Sequence, residues 1–182
     1  VVVNRGKYRG LKLDSLAGEN TRPTSAKAKE AIFSMLNQFV YDAKVLDLFS
    51  GSGALGIEAL SSNALHVDFN DINKDAYKVI SNNLNKLKDS NYKLYNLDYK
   101  QLLIELKQDD KKYDLVFLDP PYKLHLLNEI ITLLKEYDLL NEDYIIVCES
   151  DLEESINVEG IEIFKEKKYG TTIVRFVREE HE

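Results

Sequence analysis

The residues Gly51-Ser52-Gly53-Ala54-Leu55-Gly56 constrain the fold more than any other feature of the chain. They fit G-x-G-x-x-G, directly behind the short apolar run Val45-Leu46-Asp47-Leu48-Phe49 and directly ahead of a helical pattern from Ala54 to Leu60. A strand that turns on glycines into a helix opens a sheet whose first turn carries a nucleotide-type cofactor, because only glycine lets the backbone come so close. The rest of the chain continues the alternation. Strands are expected at Leu65 to Asp71, Tyr92 to Asn96, Tyr113 to Leu118 and Tyr144 to Cys148. Between them lie helical faces carrying Ala76, Val79 or Ile80, Leu84 and Leu87, then Leu102, Leu103 and Leu106, then the stretch Leu124–Leu134. Tyr113–Leu118 is almost wholly apolar, as central parallel strands are.

After Cys148 the pattern changes. Ile161–Lys167 and Thr171–Arg178 read as two strands joined by the short turn Lys168-Tyr169-Gly170. Five strand–helix units closed by a hairpin predict an α/β, doubly wound, Rossmann-like mixed sheet of seven strands with a reversed strand near its end. Residues 1–40 form an N-terminal extension to the domain at 41–182. In it, Tyr8-Arg9-Gly10-Leu11-Lys12-Leu13 alternates like a half-exposed strand, with Gly6 and Gly10 at turns. A helix capped by Thr24 or Ser25 follows, with Ala28, Ile32, Met35 or Leu36, and Phe39 on its buried side.

Hydrophobic residues make up 44% of 182, enough for one sizeable core without disulfides or a structural metal. No apolar run approaches the roughly 20 residues of a membrane helix, and the first residues lack a signal-peptide h-region. The lone Cys148 sits in an apolar run and reads as core. His66, His125 and His181 are scattered, so no metal is expected. The expectation is a soluble cytoplasmic monomer. The net charge of −7 argues against a general polyanion binder, yet residues 1–29 carry +5 and the remainder −12. A basic head holding Arg5, Lys7, Arg9 and Lys12 on an acidic body points to a polyanion at one end. A solvated basic strand without a partner is the bland alternative.

Three aspartates end consecutive strands. Asp71, 20 residues past Gly51, is placed to take both ribose hydroxyls of either a dinucleotide or S-adenosylmethionine. Asp98 is placed to accept from an adenine amino group. Asp47 separates the two cofactors. A carboxylate beside the glycine turn would repel a pyrophosphate, whereas S-adenosylmethionine brings an ammonium and a sulfonium. Plain loop capping by each Asp is the competing explanation.

Asp119-Pro120-Pro121-Tyr122 follows the fourth strand immediately. It reads either as a stiff turn or as catalytic apparatus. An exocyclic base nitrogen is a poor nucleophile because its lone pair is delocalised into the ring. Two acceptors, the Asp119 carboxylate and a carbonyl of the Pro-Pro segment, would hold its hydrogens and aim the lone pair at a methyl group. The prolines would fix those acceptors in advance, and Tyr122 would offer a stacking face.

This tetrad behind a glycine turn resembles motif IV of amino-methyltransferases acting on nucleic-acid bases. Together with Arg5-Gly6-Lys7-Tyr8-Arg9-Gly10, Asn20-Thr21-Arg22-Pro23-Thr24, the run Leu46–Leu60 and Tyr169-Gly170-Thr171-Thr172, it resembles the RsmD family over essentially the whole chain. The one departure is the polar stretch Asp68-Phe69-Asn70-Asp71, which leaves Asp68 as an alternative to Asp71. The resemblance implies a class I S-adenosylmethionine-dependent enzyme that methylates guanine N2 in 16S ribosomal RNA, free or in an assembling small-subunit particle. It implies that Arg22, Thr24, Phe49, Gly51 and Gly53 lie at the cofactor, and that Asp119 serves both cofactor and chemistry. The basic head would hold RNA phosphates and act as a lid on the cofactor. Tyr169 would stack on the target base, unless it merely packs in its turn. Rival readings are a DNA adenine or cytosine amino-methyltransferase, for whose recognition domain there is little room, an NAD(P)-dependent oxidoreductase, which Asp47 disfavours, and a non-catalytic RNA-binding module.

Overall fold

The structure, a computed structural model, describes residues 1–16 and 23–181, with Pro23, Thr24 and Tyr122 described by their backbones alone. Helix α1 spans Pro23–Leu36 and begins one or two residues ahead of the expected Thr24 or Ser25 cap. A proline suits a first helical position, where its missing N–H is not needed. Strand and helix then alternate: β1 (Lys44–Asp47), α2 (Ala54–Ser61), β2 (His66–Asn70), α3 (Lys74–Leu84), β3 (Tyr92–Tyr95), α4 (Tyr99–Gln108), β4 (Tyr113–Leu118), α5 (Leu127–Glu136), β5 (Leu140–Asp151), β6 (Ile161–Tyr169) and β7 (Thr172–Glu179). The seven strands are ordered β3-β2-β1-β4-β5-β7-β6. The first five are parallel, and β7 runs antiparallel between β5 and β6, the reversed strand expected from the sequence.

Alternation along each strand divides the core into two layers. Val45, Val67, Phe69, Phe117, Val147, Val174 and Phe176 pack under α1, α2 and α3. Leu46, Val116, Leu118, Ile146, Cys148 and Val177 pack under α4 and α5. Cys148 is core, as read. In α1 the buried residue is Leu36, while Met35 is 44% exposed. In α3 it is Ile80 rather than Val79.

Residues 1–16 differ from expectation. Tyr8–Leu13 forms no sheet strand; a single antiparallel bridge joins Val2 to Lys12, and Gly6–Tyr8 is a 3-10 turn. Val3 and Leu13 are nonetheless buried in the α1–α3 layer, so the extension shares the sheet's core. Its tip is pinned to the C-terminal end of α2: Tyr8 N–H donates to Ser61 Oγ at 2.9 Å, and Ser61 Oγ donates to the Arg5 carbonyl. The Tyr8 hydroxyl reaches Asp89, just past α3. Both helices run from the carboxyl edge of the sheet to its amino edge, so the tip lies at the amino edge. The chain then returns, and both backbone groups of Asp14 bond the Asn83 side chain, whose amide also donates to the Ser52 carbonyl at 2.9 Å. That contact brings residue 14 beside the glycine turn.

Candidate active site

The carboxyl ends of β1, β2 and β4, at Asp47, Asn70 and Leu118, stand on one edge of the sheet and hold most of the expected residues together. Gly51 and Gly53 have φ of +59° and +84°, so the turn between β1 and α2 needs glycine at both positions. Among the described residues nothing lies within 4 Å of a Cβ built on Gly51, so those residues leave the turn open there, whereas one built on Gly56 would lie 2.3 Å from the Phe69 ring. The third glycine of the motif thus serves helix–strand packing and the first serves access.

Asp47 is 2% exposed and accepts the Gly56 N–H at 3.2 Å, at the start of α2. Burial pushes its carboxyl up to about 7 against that hydrogen bond, with the nearby charges of Asp119 and Asp71 adding to the rise. The folded state therefore holds a proton that the unfolded chain releases between roughly pH 4 and 7. Stability is expected to fall as pH rises through that window, by on the order of 4 kcal/mol at full ionisation. Asp47→Asn should flatten the fall when urea midpoints are compared at pH 5 and pH 8; an unchanged pH profile would remove Asp47 as its source.

Asp71 accepts the Gly51 N–H at 2.9 Å and the Asn73 N–H at 3.0 Å, tying the end of β2 to the glycine turn. Asp68, the alternative, is fully buried and accepts from Tyr113 and His66, so Asp71 is the residue at the edge. Asp98 caps α4 through the Lys100 N–H. Phe49 is partly buried against Tyr99, ring centroids 5.7 Å apart. Behind β4, Asp119 is partly buried, Pro120 buried and Pro121 exposed; the Pro121 carbonyl accepts the Leu124 N–H. Arg22 lies outside the described residues, as do the side chains of Thr24 and Tyr122.

Tyr169 ends β6 at the hairpin, and because Thr172 pairs with Asp151 the hairpin tip stands on the same carboxyl edge. The turn is Gly170-Thr171, starting two residues later than the expected Lys168-Tyr169-Gly170 and ending one residue later. The Tyr169 ring lines a cleft of about 260 Å³ between α1 and the hairpin, with Lys165 and Lys167 across from Ala28 and Ala31. The basic head is placed differently. Arg5 donates to the Phe33 carbonyl and Lys7 pairs with Asp89 at 2.7 Å, while Arg9 and Lys12 are exposed. Arg5 and Lys7 belong to the tip pinned at the amino edge, while Lys12 lies on the run that returns toward Asp14 and the glycine turn.

Three further residues shape the site. Asn70, buried, donates to the Leu48 and Leu97 carbonyls and accepts the Leu97 N–H, locking the ends of β1, β2 and the loop before α4. Asn83 interrupts the apolar stripe of α3, a signal legible in the sequence. Glu149 left no such signal.

A sheet in this order, with a glycine turn after β1 and the tetrad after β4, is the fold of S-adenosylmethionine-dependent methyltransferases. The chain matches, over residues 1–178, the family described as Conserved hypothetical protein 95. It is 34% identical over 172 residues to ribosomal RNA small subunit methyltransferase D of Haemophilus influenzae, covering 93% of this chain and 89% of that one. The solved structure of Escherichia coli yhhF superposes with a TM-score of 0.86 at 30% identity, over 100% of this chain and 99% of that one. The fold alone is shared with SMU.776, solved in complex with SAH, at 16% identity and a TM-score of 0.67 over 79% of this chain and 48% of that one. The chain belongs to the Conserved hypothetical protein 95 family, which is the RsmD family. Among the described residues no helix is long and apolar enough to cross a membrane.

Proposed function

We propose that this protein transfers a methyl group from S-adenosylmethionine to the exocyclic N2 of a guanine in 16S ribosomal RNA, as a cytoplasmic monomer acting on free RNA or an assembling particle. The observation that carries the reading is that Asp119-Pro120-Pro121-Tyr122 directly follows β4, the strand paired with β1, so that Asp119 stands near enough to buried Asp47 for its charge to act on it, beside the glycine turn. The residues fit the cofactor: open space over a positive-φ glycine, a buried carboxylate toward cations, and Asp71 and Asp98 along the edge toward β3. When bound, the cofactor supplies a methyl on a sulfonium, and the N–C bond forms as the S–C bond breaks. The chain's own residues prepare the nitrogen. Asp119 and the Pro120 carbonyl accept its two N–H groups, since the Pro121 carbonyl is already engaged by Leu124. Asp119 is also the acceptor placed for the proton that leaves. N2 is hidden in a duplex minor groove, so an unpaired or flipped nucleotide is the substrate. Arg22 and Thr24 are assigned to the cofactor side, and Phe49 to the wall behind it.

The test is direct: incubation with S-adenosylmethionine labelled on its methyl and with small-subunit RNA or particles, then nucleoside analysis. N2-methylguanosine is expected. Label on another atom, or none with either substrate, overturns the reading. The Asp47 chemistry gives a companion result. Binding of S-adenosylmethionine by calorimetry should tighten about tenfold between pH 5.5 and 7.5 as Asp47 ionises, and Asp47→Asn should lose that dependence.

For RNA, Arg5, Lys7, Arg9, Lys12 and Tyr169 are the proposed contacts, with Arg9 and Lys12 most available. Each phosphate contact contributes about 0.7–0.9 to the log–log salt slope. Replacing Arg9 and Lys12 with alanine is expected to flatten the slope by about one to two units in a filter-binding titration. An unchanged slope would move the docking surface to Lys123 and Lys165–Lys168, on the edge that holds Asp119.

A further inference from the structure

Glu149 is the residue that neither catalysis nor packing explains. Leu118 of β4 pairs with Cys148 of β5, so Asp119 and Glu149 are the next residues along two adjacent strands, about 4.8 Å apart in the pairing direction. Val147, one step back on the same face, belongs to the layer under α1–α3, and Asp47 lies on that face too. Glu149 also pairs with Val174, and Val174 with Lys167, both of which line the cleft beside α1. One row across four strands therefore runs from the tetrad, through Glu149, into a cleft with Tyr169 and two lysines. Among the described residues no hydrogen-bond donor or cation contacts the Glu149 carboxylate. Burial and the charge of Asp47 raise it to about 7, the direction expected of an acid without a compensating donor. Glu149 is only partly buried, so a donor arriving from outside the chain can reach its carboxylate.

We infer that Glu149 reads the Watson–Crick edge of the target base, accepting N1–H, and so sets specificity for guanine over purines that lack that hydrogen. Guanine presents N1–H and N2–H side by side, a pair of donors that two neighbouring carboxylates match: Asp119 for N2, Glu149 for N1. Adenine offers a bare N1 lone pair there and is repelled. The cleft provides the approach, with Lys165 and Lys167 toward phosphate and Tyr169 toward the base.

This inference rests on the guanine-N2 reading, and its test separates the two. Synthetic RNAs carrying guanosine or 2,6-diaminopurine riboside at the methylated position are compared. Diaminopurine keeps the 2-amino group but has no N1–H. The wild-type protein should favour guanine by about 10²-fold or more in kcat/KM, as sites built around a buried hydrogen bond do. Glu149→Gln turns one acceptor into a donor. It should lower kcat/KM on guanine by about 10²-fold, preserve or raise it on diaminopurine, and leave SAH affinity within about twofold. Equal losses on both bases would make Glu149 structural. Equal use of both bases by the wild-type protein would overturn the inference without any variant, and with N2-methylguanosine as product it would overturn this inference alone. A product methylated elsewhere overturns the functional reading as well.

Discussion

Asp119→Ala is expected to reduce methyl transfer by on the order of 10²-fold or more while cofactor affinity stays within about twofold. The asymmetry follows from where Asp119 stands. It follows β4 immediately, in a segment whose next residue is buried proline, so its carboxylate is presented with little freedom left to lose. Its contribution is made to the nitrogen as that nitrogen becomes tetrahedral, and little of it to the resting cofactor. The charge of Asp119 also raises the carboxyl of Asp47. Removing it lets Asp47 ionise more readily, so cofactor binding should hold or tighten slightly. Asp119→Asn keeps one acceptor and should retain more activity than alanine. Single-turnover rates with saturating RNA, set beside SAH calorimetry, make the distinction. Near wild-type turnover in the alanine variant would mean that Asp119 is only a turn residue. Weakened SAH binding with an unchanged rate constant would move it from the base to the cofactor.

The parts of this site that were legible in the sequence are those where one residue type has one physical excuse. The glycine turn could be read because positive φ at Gly51 and Gly53 favours glycine and the close approach of the Phe69 ring leaves no room for a side chain at Gly56. β4 could be read because a strand covered on both faces is almost wholly apolar, and its bounds fall where expected. The reversed hairpin followed from two alternating runs around a single short turn. What failed was local pattern without a partner. Tyr8–Leu13 alternates like a strand, but apart from the Val2–Lys12 bridge the segment is held by loop hydrogen bonds and by α2. β5 runs from Leu140, well before the apolar stretch at Tyr144, because Tyr113 of β4 pairs with Leu140 across an irregularity in register. Glu142 and Asp143, poor strand formers, fall in that irregularity rather than in paired positions. The basic head was legible as charge but not as position; only the fold shows Lys7 on Asp89 and the tip at the amino edge. Glu149 was invisible for the same reason. A carboxylate at a strand end is ordinary until the sheet order places it beside Asp119.

Glu58→Ala is expected to have the largest effect on stability, and it revises what the extension does. Glu58 is the only charged residue of α2 and is fully buried. Its two carboxylate oxygens accept the backbone N–H groups of Asn4 and Arg5, each at 2.9 Å, and Lys29 of α1 stands 3.3 Å away with only 7% of its surface exposed. Lys29 in turn donates to the Val2 carbonyl at 2.7 Å. One carboxylate thus joins α2, α1 and the first residues of the chain. Alanine would leave a buried ammonium without its counter-charge and two backbone donors without acceptors. Removing one partner of a buried pair usually destabilises by about 3–5 kcal/mol, which in a chain of this size corresponds to a fall of roughly 6–20 °C in Tm. Glu58→Gln keeps one acceptor and should fall between. The sequence pattern alone suggests that residues 1–15 could be deleted without harm to the sheet; burial of Val3 and Leu13, together with this network, predicts that deletion destabilises the fold much as Glu58→Ala does. Thermal melts of the two variants would then be alike, and combining them should cost little more than either alone, because each removes the same contacts. A truncation that melts like the intact chain, or one whose loss simply adds to that of Glu58→Ala, would show that Glu58 holds α2 to α1 without involving the first residues.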